Sequence, residues 1–244
     1  MRGRVALNGL LLALLAVVAG CAGLPGKPPP GPEVPRPDSV LNPVTLYGAN
    51  CSGCHGADGR YGPAVALSDP VYQALVDDLT LQSTIADGRP GTAMPAFSQT
   101  KGGMLTDEQI TSIVHGIRDR WGTADRLAGI TTPPYTATVS GNPQQGEAVY
   151  ATFCASCHGS DSKGGPKAGS VTNPAYLSLV SDQGLRTTVI TGRPDFGAPD
   201  WRNNVPGRPM TDREISDVVA WLSSQRPRQS GESFAASFSL GGGR

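Results

Sequence analysis

The chain has 244 residues, room for one or two ordinary domains, and its 20 basic and 20 acidic side chains cancel to no formal net charge. Charged residues make up only 16% of it, and so sparse and balanced a charge speaks against nucleic acid or an acidic substrate as partner. Aromatics are 6%, too few to promise a large conventional core, while 32 glycines and 22 prolines favour loops.

Arg2 and Arg4 precede a run from Val5 to Val18 that only Asn8 and Gly9 interrupt. That run is short of the ~20 residues a membrane span needs and matches the apolar region of an export signal. It ends in Val18-Ala19-Gly20-Cys21, which resembles a bacterial lipoprotein signal, where small residues precede a cysteine that is acylated. Residues 1–20 are therefore expected to be a lipoprotein signal peptide and Cys21 the lipidation site. An ordinary cleaved signal or an uncleaved anchor is the alternative. Between Leu24 and Pro43 stand Pro25, Pro28, Pro29, Pro30, Pro32, Pro35, Pro37 and Pro43. No core forms from such a segment, so residues 21–43 are expected to be an extended tether, ~3 Å per residue and ~60 Å at full reach.

Two stretches read C-x-x-C-H: Cys51-Ser52-Gly53-Cys54-His55 and Cys154-Ala155-Ser156-Cys157-His158. Thiols at that spacing can add to the two vinyl groups of one haem, and the adjacent imidazole can ligate the iron. A redox disulfide or part of a zinc site is the other use of a C-x-x-C pair. The motifs take four of the five cysteines and leave Cys21 single.

The chain around the motifs repeats itself. Tyr47 to His55 matches Tyr150 to His158 at an offset of 103, and Asp69-Pro70 matches Asn173-Pro174 at 104. Gly88-Arg89-Pro90 matches Gly192-Arg193-Pro194 at 104, and Thr106-Asp107 matches Thr211-Asp212 at 105. Two copies of one domain are expected, over 44–122 and 144–227, with a linker at 123–143 and a flexible tail at 228–244. In each copy a short helix leads into the motif, a Gly-rich loop follows, helices come near Pro70 to Val76 and Leu79 to Ala86 in the first, and a Pro/Gly loop precedes a last helix. Ile110, Ile113, Val114, Ile117 and Trp121 form one apolar stripe on that helix, as do Ile215, Val218, Val219 and Leu222 in the second copy. Thr106 with Gln109 and Thr211 with Glu214 are capping-box patterns.

Each copy resembles a class I cytochrome c domain, over about residues 40–122 and 143–227, and the whole chain resembles a bacterial diheme c-type cytochrome lipoprotein. The resemblance implies an all-α fold of two tandem domains, each wrapping one covalent haem c. It also implies iron held between the motif histidine (His55, His158) and a distal methionine, whose thioether raises the potential. In the first copy Gly91-Thr92-Ala93-Met94-Pro95 looks like the distal loop, making Met94 the expected sixth ligand and Met104 its rival. In the second copy Ala198 stands where Met94 does, and Ala cannot ligate iron. Either Met210, which aligns with Leu105, becomes the ligand through a rebuilt loop, or the iron is open or water-bound, or another group caps it. His115, off the apolar stripe, reads as a solvated residue. Arg89 and Arg193 are candidates to pair with haem propionates, and Tyr72, Tyr176 and Trp201 to pack on porphyrin.

These expectations make the protein a membrane-anchored electron carrier rather than a catalyst by itself. It would work outside the cytoplasmic membrane, on the periplasmic side, held there by lipid. Its partners would be a quinol-oxidising complex and a terminal oxidase or photosynthetic reaction centre. A cytochrome subunit of a periplasmic dehydrogenase, or peroxidase and small-ligand chemistry at an open second haem, is the alternative. Net neutrality offers no charged face for steering a partner.

Overall fold

The computed structural model describes residues 31, 34–122, 127 and 129–227. The signal, Cys21 and the tail at 228–244 lie outside the described residues. The chain divides into two compact units, Met1–Ser39 and Val40–Arg244. What is described of the first holds a 3-10 turn, Pro37–Ser39, where the Ser39 hydroxyl donates to the Arg36 carbonyl at 2.8 Å.

The second unit is all-α; among the described residues only isolated bridges, and no strand, accompany the helices. The first copy contains α1 (Pro43–Asn50), α2 (Ser52–His55), α3 (Pro70–Leu75), α4 (Asp78–Asp87) and α5 (Asp107–Trp121). The second repeats the series as α6 (Pro143–Phe153), α7 (Ala155–His158), α8 (Pro174–Leu179), α9 (Asp182–Thr191) and α10 (Asp212–Ser224). Two tandem copies of one five-helix series are thus the architecture.

Local chemistry dictates where these helices begin. Four of them open on an Asx-Pro pair: Asn42-Pro43, Asp69-Pro70, Asn142-Pro143 and Asn173-Pro174. The Asx side chain accepts from a backbone N–H of the first turn, and proline sits where its missing N–H costs nothing. Both capping boxes form: Thr106 with Gln109 and Thr211 with Glu214 exchange reciprocal bonds at the starts of α5 and α10.

Despite the few aromatics, each copy buries an apolar core. The α5 stripe, Ile110, Ile113, Val114 and Ile117, packs with Leu46, Tyr47, Leu67, Tyr72, Val76, Leu81 and Ile85. In the second copy Tyr150, Phe153, Ile190, Trp201, Met210, Ile215 and Val218 pack together, and Val71 of the first copy joins them. In the first copy α1, α3, α4 and α5 supply the core, in the second α6, α9 and α10, with loops supplying the rest.

In each copy the first and last helices meet at one close crossing. Gly116 of α5 faces Pro43 of α1, and a Cβ on it would lie 2.4 Å from the Pro43 Cβ. In the second copy the equivalent pair is Gly146 of α6 and Trp221 of α10, 2.6 Å by the same measure, and the Asp217 carbonyl oxygen is nearer still at 2.1 Å. Small and large have changed sides. Edge-on aromatic contact closes the same junction: Tyr47 with Trp121 at 5.1 Å and, tilted, Tyr150 with Trp221 at 4.7 Å.

Gly146→Ala is expected to push α6 off α10 and lower stability by ~1–3 kcal/mol. Gly48→Ala in α1, where an added Cβ meets nothing within 4 Å, should instead raise it by ~0.5–1 kcal/mol. Thermal unfolding of the two variants against the parent chain checks both signs.

Candidate haem centres

α1 runs into α2 through Cys51, whose N–H bonds the Tyr47 carbonyl while its own carbonyl accepts from the His55 N–H at 3.0 Å. Cys51 and Cys54 are thereby one helical turn apart on a common side, with His55 next. The second copy repeats the geometry, the His158 N–H bonding the Cys154 carbonyl at 3.0 Å. None of the four is disulfide-bonded; Cys54 is exposed and Cys51, Cys154 and Cys157 are half-buried. Before haem is attached, burial, with the neighbouring cysteine adding, pushes the Cys51 thiol up to about 11 and that of Cys154 up to about 12.

Each imidazole is aimed from behind. The Nδ1 of His55 lies 2.8 Å from the Val65 carbonyl, and that of His158 lies 2.7 Å from the Gly169 carbonyl. A carbonyl only accepts, so these partners assign the proton to Nδ1 and leave the Nε2 lone pair for a metal. Burial lowers the pKa of His55 although the Val65 carbonyl works the other way, and the neutral ring is the form that ligates.

The loop that returns those carbonyls requires glycine. Gly56 has φ +81°, and a Cβ there would fall 1.9 Å from the Arg60 carbonyl oxygen. Gly159 repeats it at φ +83°. Tyr47 and Tyr150 hydroxyls donate to the Gly56 and Gly159 carbonyls at 2.8 and 2.6 Å. Paired cysteines, an oriented imidazole and a tight turn against an apolar core are the donor set and cradle that a covalent haem needs.

The distal candidates separate. Met94 is half-buried, and its carbonyl accepts from the Arg89 N–H at 2.9 Å. Ala198 holds the same backbone place, its carbonyl accepting from the Arg193 N–H at 3.0 Å. Met104 is 75% exposed. Met210 is 3% exposed inside the second core, and its N–H donates to the Trp201 carbonyl as that of Leu105 does to the Phe97 carbonyl, at 2.9 and 2.8 Å. His115 is exposed on α5. Tyr72 and Trp201 are core residues, whereas Tyr176 is partly exposed.

The two copies also match known proteins. A family model described as cytochrome c oxidase, cbb3-type, subunit III, matches residues 38–115 and again 141–222. The chain is 28% identical over 172 residues to the cbb3-type cytochrome c oxidase subunit FixP of Bradyrhizobium sp. (strain ORS 278), covering 66% of this chain and 54% of that protein. To the cbb3-type cytochrome c oxidase subunit CcoP of Rubrivivax gelatinosus it is 30% identical over 162 residues, 64% of this chain and 47% of the relative. The chain spans about half the length of the curated relatives it matches. A solved chain of the Kuenenia stuttgartiensis reducing HAO-like protein complex aligns at TM-score 0.43 and 17% identity, over 80% of this chain and all of that one, too loosely to bear on function. Two tandem cytochrome c domains mean two covalently bound haem c groups.

Sequence reading did not foresee what joins the copies. Arg89 donates to the Thr84 hydroxyl and the Tyr135 hydroxyl. Its counterpart Arg193 grips Asp195 through two bonds, at 2.9 and 2.8 Å, and donates to the Gly62 carbonyl of the first copy at 2.8 Å. The Asp195 carboxylate accepts the Tyr61 N–H at 2.9 Å, and Phe196 meets the Tyr61 ring edge-on at 6.0 Å. Tyr61 pays for this contact with φ +65°; the second copy has Gly164 at the equivalent place. Arg186, 2% exposed in α9, binds the Pro134 and Tyr135 carbonyls and pairs with Asp212, so the connecting segment is pinned to the second core.

The hydrogen bonds from Arg193 hold the Asp195 carboxyl below the usual carboxylate range. Its contribution to stability is therefore complete above the unfolded value of ~3.9 and fades as pH falls through the lower folded value. Asp195→Ala is expected to speed amide exchange at Tyr61 by about tenfold or more, from the loss of a charge-assisted bond of ~1.5 kcal/mol. Acidifying the parent chain through the depressed folded value of Asp195 should lower the protection of that amide in the same way, relative to the intrinsic exchange rate at each pH. Hydrogen exchange read at that amide tests both.

Proposed function

The chain belongs to the cytochrome c oxidase, cbb3-type, subunit III family, and on that premise we propose that it is a diheme electron carrier. Cys51 and Cys54 tether one haem c and Cys154 and Cys157 the other, with His55 and His158 as proximal ligands and Met94 as the sixth ligand of the first. Haem stores and releases one electron at a time. The chain's own residues set ligand, burial and orientation. The observation that carries this reading is the repeated Nδ1-to-carbonyl bond, at 2.8 and 2.7 Å, beside two cysteines one helical turn apart. It fixes each imidazole before metal arrives, and a site with fixed ligands reorganises little when the electron comes or goes.

The relatives are named as subunits of a cbb3-type oxidase. That favours a terminal oxidase as acceptor over a photosynthetic reaction centre or a dehydrogenase, with a quinol-oxidising complex upstream as donor. A chain with no net charge suits lasting assembly with its acceptor better than long-range steering toward it. Among the described residues no helix is long and apolar enough to cross a membrane. We assign membrane attachment to acyl chains on Cys21 and place the two domains on the extracytoplasmic side.

Three variants test the assignment in the full chain expressed with its export and haem-attachment machinery. Cys154→Ala combined with Cys157→Ala should halve the haem per chain measured as pyridine haemochrome; unchanged haem would sink the motif assignment. Met94→Ala should lower the potential of one haem and remove the far-red charge-transfer band of a methionine-ligated ferric haem. Cys21→Ala should move the protein from the membrane to the soluble fraction.

A further inference from the structure

The two copies treat their thioethers differently. Met94 sits half-buried on a loop outside the first core, whereas Met210 is packed within the second, among Tyr150, Phe153, Trp201, Ile215 and Val218. Met210 has taken the part that Leu105 plays in the first copy: the same backbone bond, to the Trp201 carbonyl instead of the Phe97 carbonyl, and the same apolar cover. A thioether that serves as the second core's leucine is not presented to an iron.

The loop that would have to rebuild to change this is pinned. Arg193 and Ala198 exchange two backbone bonds, at 3.0 and 2.9 Å, and the Trp201 N–H donates to the Ile190 carbonyl at 3.1 Å. A Cβ on Gly192 would lie 2.2 Å from the Pro199 carbonyl oxygen, so the loop is pressed against the end of α9. Bringing Met210 out would empty a core position and break the bond to Trp201. The Arg193 guanidinium, gripping Asp195 and Gly62, also anchors this loop to the first copy.

We propose that the second haem keeps an open distal position that binds a small neutral diatomic, carbon monoxide or nitric oxide, on its ferrous iron. The proposal rests on the assignment of Cys154, Cys157 and His158 to that haem. The loop's chemistry selects this class of ligand. Ala198 brings no hydrogen-bonding side chain, and Pro199 brings no N–H. Arg193 is committed to Asp195, and Arg202 to Asp200. A bound anion needs a cation to hold it, and cleaving a peroxide bond needs an acid–base side chain. The one histidine outside the motifs, His115, is exposed on the other copy. A diatomic that bonds iron through its own carbon or nitrogen needs neither.

The test is a carbon monoxide titration of the dithionite-reduced full chain, followed in the Soret band, with haem content measured on the same sample. One carbon monoxide bound per two haems is expected. Met210→Leu, which installs the first copy's residue, should leave the titration unchanged, and Ala198→Met should abolish it. No binding by a sample holding two haems per chain overturns the open site while leaving haem attachment intact. Fewer than two haems overturns the attachment assignment instead. Binding that arises only in Met210→Leu identifies Met210 as the ligand and overturns the proposal; binding at both haems upholds the open second site and overturns Met94 as the first haem's ligand. If Ala198→Met fails to fold, the parent and Met210→Leu titrations still decide. The far-red band of the ferric parent, expected at the intensity of one methionine-ligated haem, gives an independent reading.

Discussion

An imidazole has two nitrogens, and a protein that wants one of them for iron must occupy the other. In both copies a backbone carbonyl does so, and much of the surrounding structure follows from delivering that carbonyl. The Val65 and Gly169 oxygens reach Nδ1 only because the chain reverses tightly after each histidine, at Gly56 and Gly159. The reversal is held by a tyrosine hydroxyl from the helix that leads into the cysteines. That tyrosine is in turn held by a tryptophan of the last helix, and the last helix buries the apolar stripe. The sequence of dependence runs from a single proton position to the packing of the domain, which is why the two copies agree here and diverge elsewhere.

The divergence is concentrated on the side where the copies touch. Tyr61 accepts a left-handed backbone that Gly164 adopts without cost, and its amide, ring and neighbouring carbonyl all find partners on the 193–196 segment. The same segment leads into Ala198. Duplication thus supplied two equivalent loops, and both touch the other copy: the Ala93 N–H beside Met94 donates to the Leu179 carbonyl at 3.3 Å, while the 193–196 segment makes the larger joint.

What was legible in the sequence was local. The Asx-Pro starts, the capping boxes and the periodic stripes each depend on residues within a turn or two, and the structure follows them closely. The C-x-x-C-H motifs were legible because chemistry sets their spacing. Arg89 and Arg193 read as equivalent but act differently, since the partners of Arg193 lie as far as 131 residues away and leave no trace in its neighbourhood. Arg186 gave no signal either: an arginine within an amphipathic helix is ordinarily solvated, and only the returning Pro134–Tyr135 segment makes it a buried hub. The doubt about a core came from counting aromatics, whereas the first core is built chiefly from Ile, Leu and Val and the second concentrates three of the chain's few aromatics, Tyr150, Phe153 and Trp201.

The exchanged glycine has a consequence for how a tandem chain sorts its own parts. Two copies of one domain on one chain invite their helices to trade partners as they fold. Were α1 to dock on α10, Pro43 would meet Trp221, two bulky groups at a crossing built for one. Were α6 to dock on α5, Gly146 would meet Gly116 and leave a hole. Pairing is favourable only within a copy, so each half recognises its own partner helix by shape, with no charge code needed in a chain that carries little charge to spare.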